Sequence, residues 1–76
     1  MSDIEVDARG HRCPTPTLRL RRALEHAPAG ATVRLLADDP MARIDVPHFA
    51  RQLGATLEGV EDLPKGVISF RVTKAP

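Results

Sequence analysis

The periodic part of the sequence opens with IEVDARGHRCPTPTLRLRRALEHA, residues 4–27. Apolar and polar side chains alternate over residues 4–8, a pattern that is typical of a half-buried strand. After a short turn, apolar residues recur at helical spacing from Pro16 onward. These residues are Leu20, Ala23, Leu24 and Ala27. A strand, a turn and an amphipathic helix are therefore predicted, and the helix ends at the breaker Pro28-Ala29-Gly30.

Outward from this unit, three more strands are predicted at residues 31–37, 55–61 and 66–72. The first is β-branched and then continuously apolar, which suits a buried strand, and the last two flank a turn. With a second helix between them, the order is strand, helix, strand, helix, strand, strand. We therefore predict an α+β fold, a two-layer α/β sandwich of βαβαββ order. Its two helices pack on one face of a four-stranded mixed sheet, and residues 1–76 form one domain.

The second helical region follows Asp38-Asp39-Pro40. Asp45 is a candidate cap for the main body of this helix, and Pro47 is tolerated only within the first turn. Gly54 suits the C-terminal cap. The apolar residues at helical spacing are Val46, Phe49, Ala50 and Leu53, and Met41 is expected to fill a gap in the core.

The charge of the chain is almost balanced, because eleven Lys and Arg residues oppose ten Asp and Glu residues and leave a net charge of +1. Such a protein has no overall field that attracts nucleic acid or an anionic membrane. Phe49 and Phe70 are too few for a platform that stacks bases, and both are predicted to be core. No apolar run approaches the roughly 20 residues that span a bilayer. We therefore expect no direct contact with nucleic acid or membrane.

Cys13 is the only cysteine of the chain, so it has no partner for an internal disulfide. The first residues show no basic region followed by an apolar stretch, as a signal peptide would. A reducing cytosol keeps a lone thiol free. We therefore expect a cytoplasmic protein in which this thiol is available for chemistry.

The motif Cys13-Pro14-Thr15-Pro16, of CPxP form, stands between the first strand and the first helix. Proline suits a first helical turn because amides there have no intrahelical partner. If Cys13 is the N-cap, the Thr15 amide is the obvious donor to its sulfur. Because a residue before proline disfavours helical angles, Thr15 can instead delay the helix to Pro16. In both cases Pro14, Thr15 and Pro16 support the sulfur on a stiff backbone.

The position of Cys13 matters because the thiolate is the reactive form of cysteine. A helix N-terminus favours an anion, and nearby cations, here Arg9, Arg12 and Arg19, add to the effect. We therefore predict that the pKa of Cys13 lies below the free-cysteine value of about 8.5. The alternative is a buried structural cysteine, although a charged turn and two prolines are unusual surroundings for a core residue.

Two neighbouring motifs carry a resemblance to a known family. Asp7-Ala8-Arg9-Gly10 and the CPxP motif together look like the signature of the TusA (SirA-like) sulfur carriers. The resemblance covers essentially the whole chain, continuing in Pro28-Ala29-Gly30, Ala37-Asp38-Asp39-Pro40, Asp45-Val46-Pro47, Phe49 and Gly54. His11 departs from the pattern, since the family usually has an apolar residue after the glycine.

The resemblance implies the fold predicted above and a role for Cys13 as the carrier of sulfane sulfur in a persulfide. It implies a cysteine desulfurase or a rhodanese as donor, and a DsrE-like protein or a tRNA-thiolation protein as acceptor. The pathway would be tRNA thiolation, sulfur oxidation or molybdenum cofactor biosynthesis. Such transfer needs no metal or organic cofactor, and the protein acts more as a co-substrate than as an enzyme with its own turnover.

The arginines near Cys13 are candidates for binding partner proteins, because a basic patch can steer acidic partners. Arg9, Arg12, Arg19 and Arg22 belong to this set, and a solvated charged face is the alternative interpretation. Asp45 is a further candidate for a partner contact, beside its expected capping role. A carrier that meets several partners in turn is expected to be a monomer.

Three other functional classes compete with the carrier. A thioredoxin-like oxidoreductase needs a second cysteine where Pro16 stands, and a nucleic-acid binder lacks the charge. A small protein-interaction or regulatory module, in which Cys13 carries no sulfur, is the main alternative. Zinc-site spacing is absent among His11, Cys13, His26 and His48, so no metal is expected.

Overall fold

The computed structural model describes residues 4–10 and 15–75. Within these ranges the chain forms four strands and two α-helices, in the predicted order. The elements are β1 (Ile4–Asp7), α1 (Thr15–His26), β2 (Thr32–Ala37), α2 (Ala42–Gln52), β3 (Thr56–Asp62) and β4 (Ile68–Thr73). Neither described helix has the length and apolar character needed to cross a membrane.

The four strands form one mixed sheet in the order β1-β2-β4-β3. β1 and β2 are parallel, as expected for strands joined through a helix, and β4 is antiparallel to both β2 and β3. The predicted α+β class and the mixed four-stranded sheet are therefore confirmed. The last strand in the sequence lies inside the sheet, between the second and the third.

The hydrophobic core lies between one face of the sheet and the two helices. Leu35 of β2 is directly opposite Phe70 of β4, and Val33 is opposite Val72. All four side chains are fully buried. The same cluster contains residues of both helices, namely Leu20 and Leu24 of α1 and Ala42, Val46 and Ala50 of α2. Both helices thus cover the same face, as predicted. Of the stripe predicted for α2, Val46 and Ala50 are buried, Phe49 is half-buried and Leu53 is exposed.

The start of α2 differs from the prediction. The helix begins at Ala42, so Asp45 lies in its first turn rather than before it, and the prediction that Asp45 caps the helix is wrong. Asp39 starts the turn instead, since its side-chain Oδ1 accepts the Met41 amide at 3.1 Å and its carbonyl accepts the Ala42 amide at 2.9 Å. Asp39 thus bonds backbone amides where the helix starts, six residues before the position that Asp45 was expected to cap.

Pro47 is the sixth residue of α2, so its predicted place in the first turn is also wrong. Proline has no amide hydrogen, and the carbonyl four residues earlier, that of Arg43, therefore receives no bond from residue 47. The helix nevertheless continues to Gln52. Burial of Val46 and Ala50 on either side of Pro47 holds the helix against the sheet.

The end of α2 agrees with the prediction. Gly54 has φ 72, in the left-handed region that glycine adopts without strain, and its amide donates to the Arg51 carbonyl at 3.1 Å. The Ala55 amide donates to the Ala50 carbonyl at 2.9 Å. These two bonds form a Schellman motif, so Gly54 closes the helix as expected.

Candidate functional site

The structure describes the chain on both sides of the predicted sulfur site. His11, Arg12, Cys13 and Pro14 lie outside the described residues. α1 includes Thr15, so the alternative in which the helix waits for Pro16 is wrong. Pro16 is fully buried in the first turn of α1, where the missing amide of proline is tolerated. The roles predicted for Cys13, Pro14, Thr15 and Pro16 stay predictions.

The site lies at the edge of the sheet where β1 and β2 end, called the C-terminal edge below. Because β1 and β2 are parallel, their C-terminal ends meet there, and α1 and α2 both start from it. β3 also ends at this edge, where Asp62 forms an ion pair with Arg43 of α2. The segment that carries Cys13 therefore connects two elements at the C-terminal edge.

The three backbone amides that follow β1 each donate a hydrogen bond to an identified acceptor. The Ala8 amide donates to the Leu36 carbonyl of β2 at 2.8 Å, which extends the strand pairing by one residue. The Arg9 amide donates to Asp7 Oδ1 at 3.0 Å. The Gly10 amide donates to both carboxylate oxygens of Asp38, at 2.9 and 3.0 Å. The backbone is thus held up to the last described residue before Cys13.

The side chain of Arg9 forms an ion pair with Asp7. Its guanidinium donates through Nε to Asp7 Oδ1 at 2.9 Å and through Nη2 to Asp7 Oδ2 at 2.7 Å, a two-point contact with about half of each side chain exposed. The hydrogen bonds from the Arg9 side chain and amide hold the pKa of Asp7 well below its usual range. The same carboxylate raises the pKa of Arg9. Arg9 therefore brings less free positive charge to Cys13 than the sequence indicates.

The arginines of α1 differ in their availability. Arg21 lies 3.4 Å from Glu25, one turn further along the helix. Arg19 and Arg22 are exposed and have no ion-pair or hydrogen-bond partner within residues 4–10 and 15–75. The charge of Arg19 also lowers the pKa of Asp7, so its field reaches the C-terminal edge. Arg19 thus remains a candidate cation for the site. Arg22 lies on the solvent-exposed face of α1.

Exposed apolar side chains near the two helix starts were not predicted. Leu18 of α1 is 53% exposed, and Met41 and Ile44 at the start of α2 are 50% and 65% exposed. The expectation that Met41 fills a gap in the core is therefore wrong. Leu18 could have been found from the sequence, because it falls outside the apolar stripe of α1. Asp45, half-buried in the first turn of α2, lies at the same edge.

A cleft at the opposite end of the molecule does not belong to this site. It has a volume of about 360 Å³ and is lined by Leu24, Leu53 and Lys74, among others. These residues lie near the ends of α1, α2 and β4. Among the residues that the structure describes, no three His, Cys, Asp or Glu side chains are grouped so that they could hold a metal ion.

Comparison with known proteins identifies the family. The family model described as sulfurtransferase TusA matches residues 4–74. The chain belongs to the TusA family. A relative of this TusA-family chain from Archaeoglobus fulgidus, whose name marks it as an inferred sulfur carrier protein, is 41% identical over 68 residues, covering 90% of this chain and 88% of that protein.

A solved structure gives the same result for the fold. The crystal structure of a SirA-like protein from Desulfitobacterium hafniense is 31% identical and superposes with a TM-score of 0.83. The match covers 96% of this TusA-family chain and 99% of the other. The resemblance seen in the sequence motifs and the two-layer fold are thereby confirmed.

Proposed function

We propose that this TusA-family protein is a sulfur carrier in which Cys13 holds sulfane sulfur as a persulfide. The observation that carries the proposal is the family match over residues 4–74, which spans the only cysteine of the chain. The name of the Archaeoglobus relative supports the same role. The described backbone adds that the segment with Cys13 leads directly into a helix start, where an anion is favoured.

The proposed reaction consists of two sulfur transfers. In loading, the Cys13 thiolate attacks the terminal sulfur of a donor persulfide; a new S–S bond forms, the donor S–S bond breaks, and the donor cysteine leaves as thiolate. In delivery, an acceptor thiolate attacks the terminal sulfur on Cys13, and Cys13 leaves as thiolate. The sulfane sulfur keeps its oxidation state, so no external oxidant or reductant is consumed. A lowered pKa of Cys13 assists delivery, because the more acidic thiol is the better leaving group.

The proposed partners are proteins. A cysteine desulfurase or a rhodanese supplies the sulfur, and a DsrE-like protein or a tRNA-thiolation protein receives it, in tRNA thiolation, sulfur oxidation or molybdenum cofactor biosynthesis. Arg12, Arg19 and Arg22 attract acidic partner surfaces. The exposed Leu18 offers apolar contact on the same helix as Arg19 and Arg22. Arg9 and Asp45 provide further contacts to partner proteins at the C-terminal edge.

We place this activity in one domain of a cytoplasmic monomer. Most of the buried apolar residues of both helices and of the sheet belong to one core cluster, which supports a single folding unit. A lone thiol used for transfer also requires a reducing compartment. Gel filtration with light scattering tests the monomer.

Intact-protein mass spectrometry tests the proposed function. The protein is incubated without reductant, either with a cysteine desulfurase and cysteine or with a rhodanese and thiosulfate. We expect a gain of one sulfur atom that dithiothreitol reverses and that Cys13→Ser abolishes. If Cys13 is readily alkylated but gains sulfur from neither donor, a protein-interaction module becomes the better explanation. If Cys13 reacts with alkylating reagents only after unfolding, the cysteine is structural.

A further inference from the structure

We infer that Asp38 is a positioning residue for sulfur transfer, acting through the Gly10 amide on the segment that carries Cys13. The inference rests on the proposed function of Cys13 as a sulfur carrier. Asp38 does not need to touch the reacting sulfur atoms for this role. Its carboxylate fixes the backbone from which the thiol is presented.

The contact between Asp38 and Gly10 joins distant parts of the chain. The two residues are 28 positions apart, and both carboxylate oxygens lie within hydrogen-bond distance of the same amide. Asp38 follows directly on Ala37, the fully buried last residue of β2. Since β2 pairs with β1 on one side and β4 on the other, the carboxylate projects from a rigid part of the sheet. Gly10 is therefore tied to a fixed point.

Gly10 is a suitable place to control the thiol. Its φ of 82 lies in the left-handed region, so the chain changes direction at this residue. Cys13 is three residues further on, and only residues 11–14 separate Gly10 from the start of α1. A connection this short limits how far Cys13 can lie from Gly10. A displacement of Gly10 therefore moves the point from which Cys13 reaches a partner.

The negative charge of Asp38 does not favour a thiolate, so we attribute the role of Asp38 to its hydrogen bond with Gly10. A carboxylate near a cysteine disfavours the thiolate and so opposes the attack on sulfur. An amide group would hold Gly10 without that disadvantage. The two roles of Asp38 can therefore be separated, because asparagine keeps the acceptor oxygen and removes the charge.

The test compares Asp38→Ala and Asp38→Asn with the unchanged protein. The rate of persulfide loading from a cysteine desulfurase is followed by mass spectrometry, together with the pH dependence of alkylation by iodoacetamide. We expect Asp38→Ala to slow loading about tenfold or more, since misplacement of a reacting group by about 1 Å is that costly. Asp38→Asn should stay within about threefold of the unchanged protein. The NMR signal of the Gly10 amide should shift and exchange faster only in Asp38→Ala.

Asp62→Ala is the matched control, because it removes another exposed aspartate at the same edge whose partner, Arg43, is remote from Gly10 in sequence. It should leave loading unchanged. If Asp38→Ala does not fold, Asp38→Gln replaces it, since glutamine has the same groups as asparagine but displaces the oxygen by one methylene.

The inference would be overturned if Asp38→Ala loaded at the same rate as Asp38→Asn, because charge alone would then explain any effect. The same holds for Asp38→Gln where it replaces Asp38→Ala. An unchanged rate in Asp38→Ala would also overturn it while leaving the proposed function intact. Absence of sulfur on Cys13 in the unchanged protein would reject the proposed function itself, and the inference with it.

Discussion

At the scale of single residues, the contact between Asp7 and Arg9 shows what a sequence hides. Both residues are visible in the sequence as charges, and Arg9 was predicted to be one of the cations that favour the Cys13 thiolate. In the structure, the Arg9 guanidinium instead forms an ion pair with the Asp7 carboxylate, two residues earlier. Whether an arginine pairs with a given nearby acidic residue depends on the backbone turn that connects the two residues. The sequence does not specify that turn. The charge of Arg9 could be predicted, but its pairing with Asp7 could not.

The low pKa of Asp7 makes this contact sensitive to acid. Because its pKa is depressed in the folded protein, its contribution to stability is complete above the unfolded value of about 3.9 and is lost as the pH falls further. Asp7→Asn should therefore lower Tm at pH 7 by about 1–4 °C, a small effect because the pair is exposed. The difference should shrink below about pH 4. Thermal unfolding followed by circular dichroism at pH 7, 4 and 2.5 measures this.

Glu61→Gln is the control for that series, since Glu61 is exposed on β3 and has no hydrogen-bond or ion-pair partner among the described residues. It should change Tm little at any pH. A difference between Asp7→Asn and the unchanged protein that grew towards low pH would contradict the assignment.

At the scale of elements, the predicted order and type of helices and strands were correct because each carries a clear periodicity. The stripe of α1 and the apolar run of β2 are buried as expected. The start of α2 was wrong because three aspartates, Asp38, Asp39 and Asp45, are all suitable caps by residue type. Only the path of the chain after β2 decides between them. It directs Asp38 to Gly10, leaves Asp39 to begin the helix, and places Asp45 within it.

This division of roles predicts different costs for two similar substitutions. Asp39→Ala removes the acceptor of the Met41 amide and should lower the free energy of unfolding by about 0.5–1.5 kcal/mol. Asp45→Ala removes only a favourable charge from the first turn and should cost at most about 0.5 kcal/mol. Urea unfolding of both variants provides the comparison. A larger loss in Asp45→Ala than in Asp39→Ala would restore Asp45 as the cap.

At the scale of the whole molecule, the net charge of +1 conceals a separation of charge between layers. The two helices contain five arginines and two acidic residues, whereas the four strands contain five acidic residues and two arginines. The sequence excluded a strong overall field but could not show this asymmetry, because it depends on which segments share a layer. The basic layer contains Arg19 and Arg22, which supports its proposed use towards acidic partners.

Charge reversal in the helical layer tests that use. The double substitution Arg19→Glu and Arg22→Glu should slow loading by a cysteine desulfurase about tenfold at low salt, because it removes attraction during encounter. Loading of the unchanged protein should slow as salt is added, and the two rates should converge. Mass spectrometry over a range of salt concentrations gives the rates.

Arg71→Glu is the matched control for charge reversal, since Arg71 is an exposed arginine of β4 that faces away from the helices. It should load at an unchanged rate. Equal slowing by both changes would show that net charge matters and that the helical layer has no special role.

The place of β4 inside the sheet has a consequence for biosynthesis. β2 and β3 do not pair with each other, and each finds its antiparallel partner only in β4, which also supplies Phe70 and Val72 to the core. A nascent chain that has emerged from the ribosome only as far as residue 67 therefore holds both helices and three strands without the element that joins them. Folding of the sheet must therefore wait until β4 has been released from the exit tunnel.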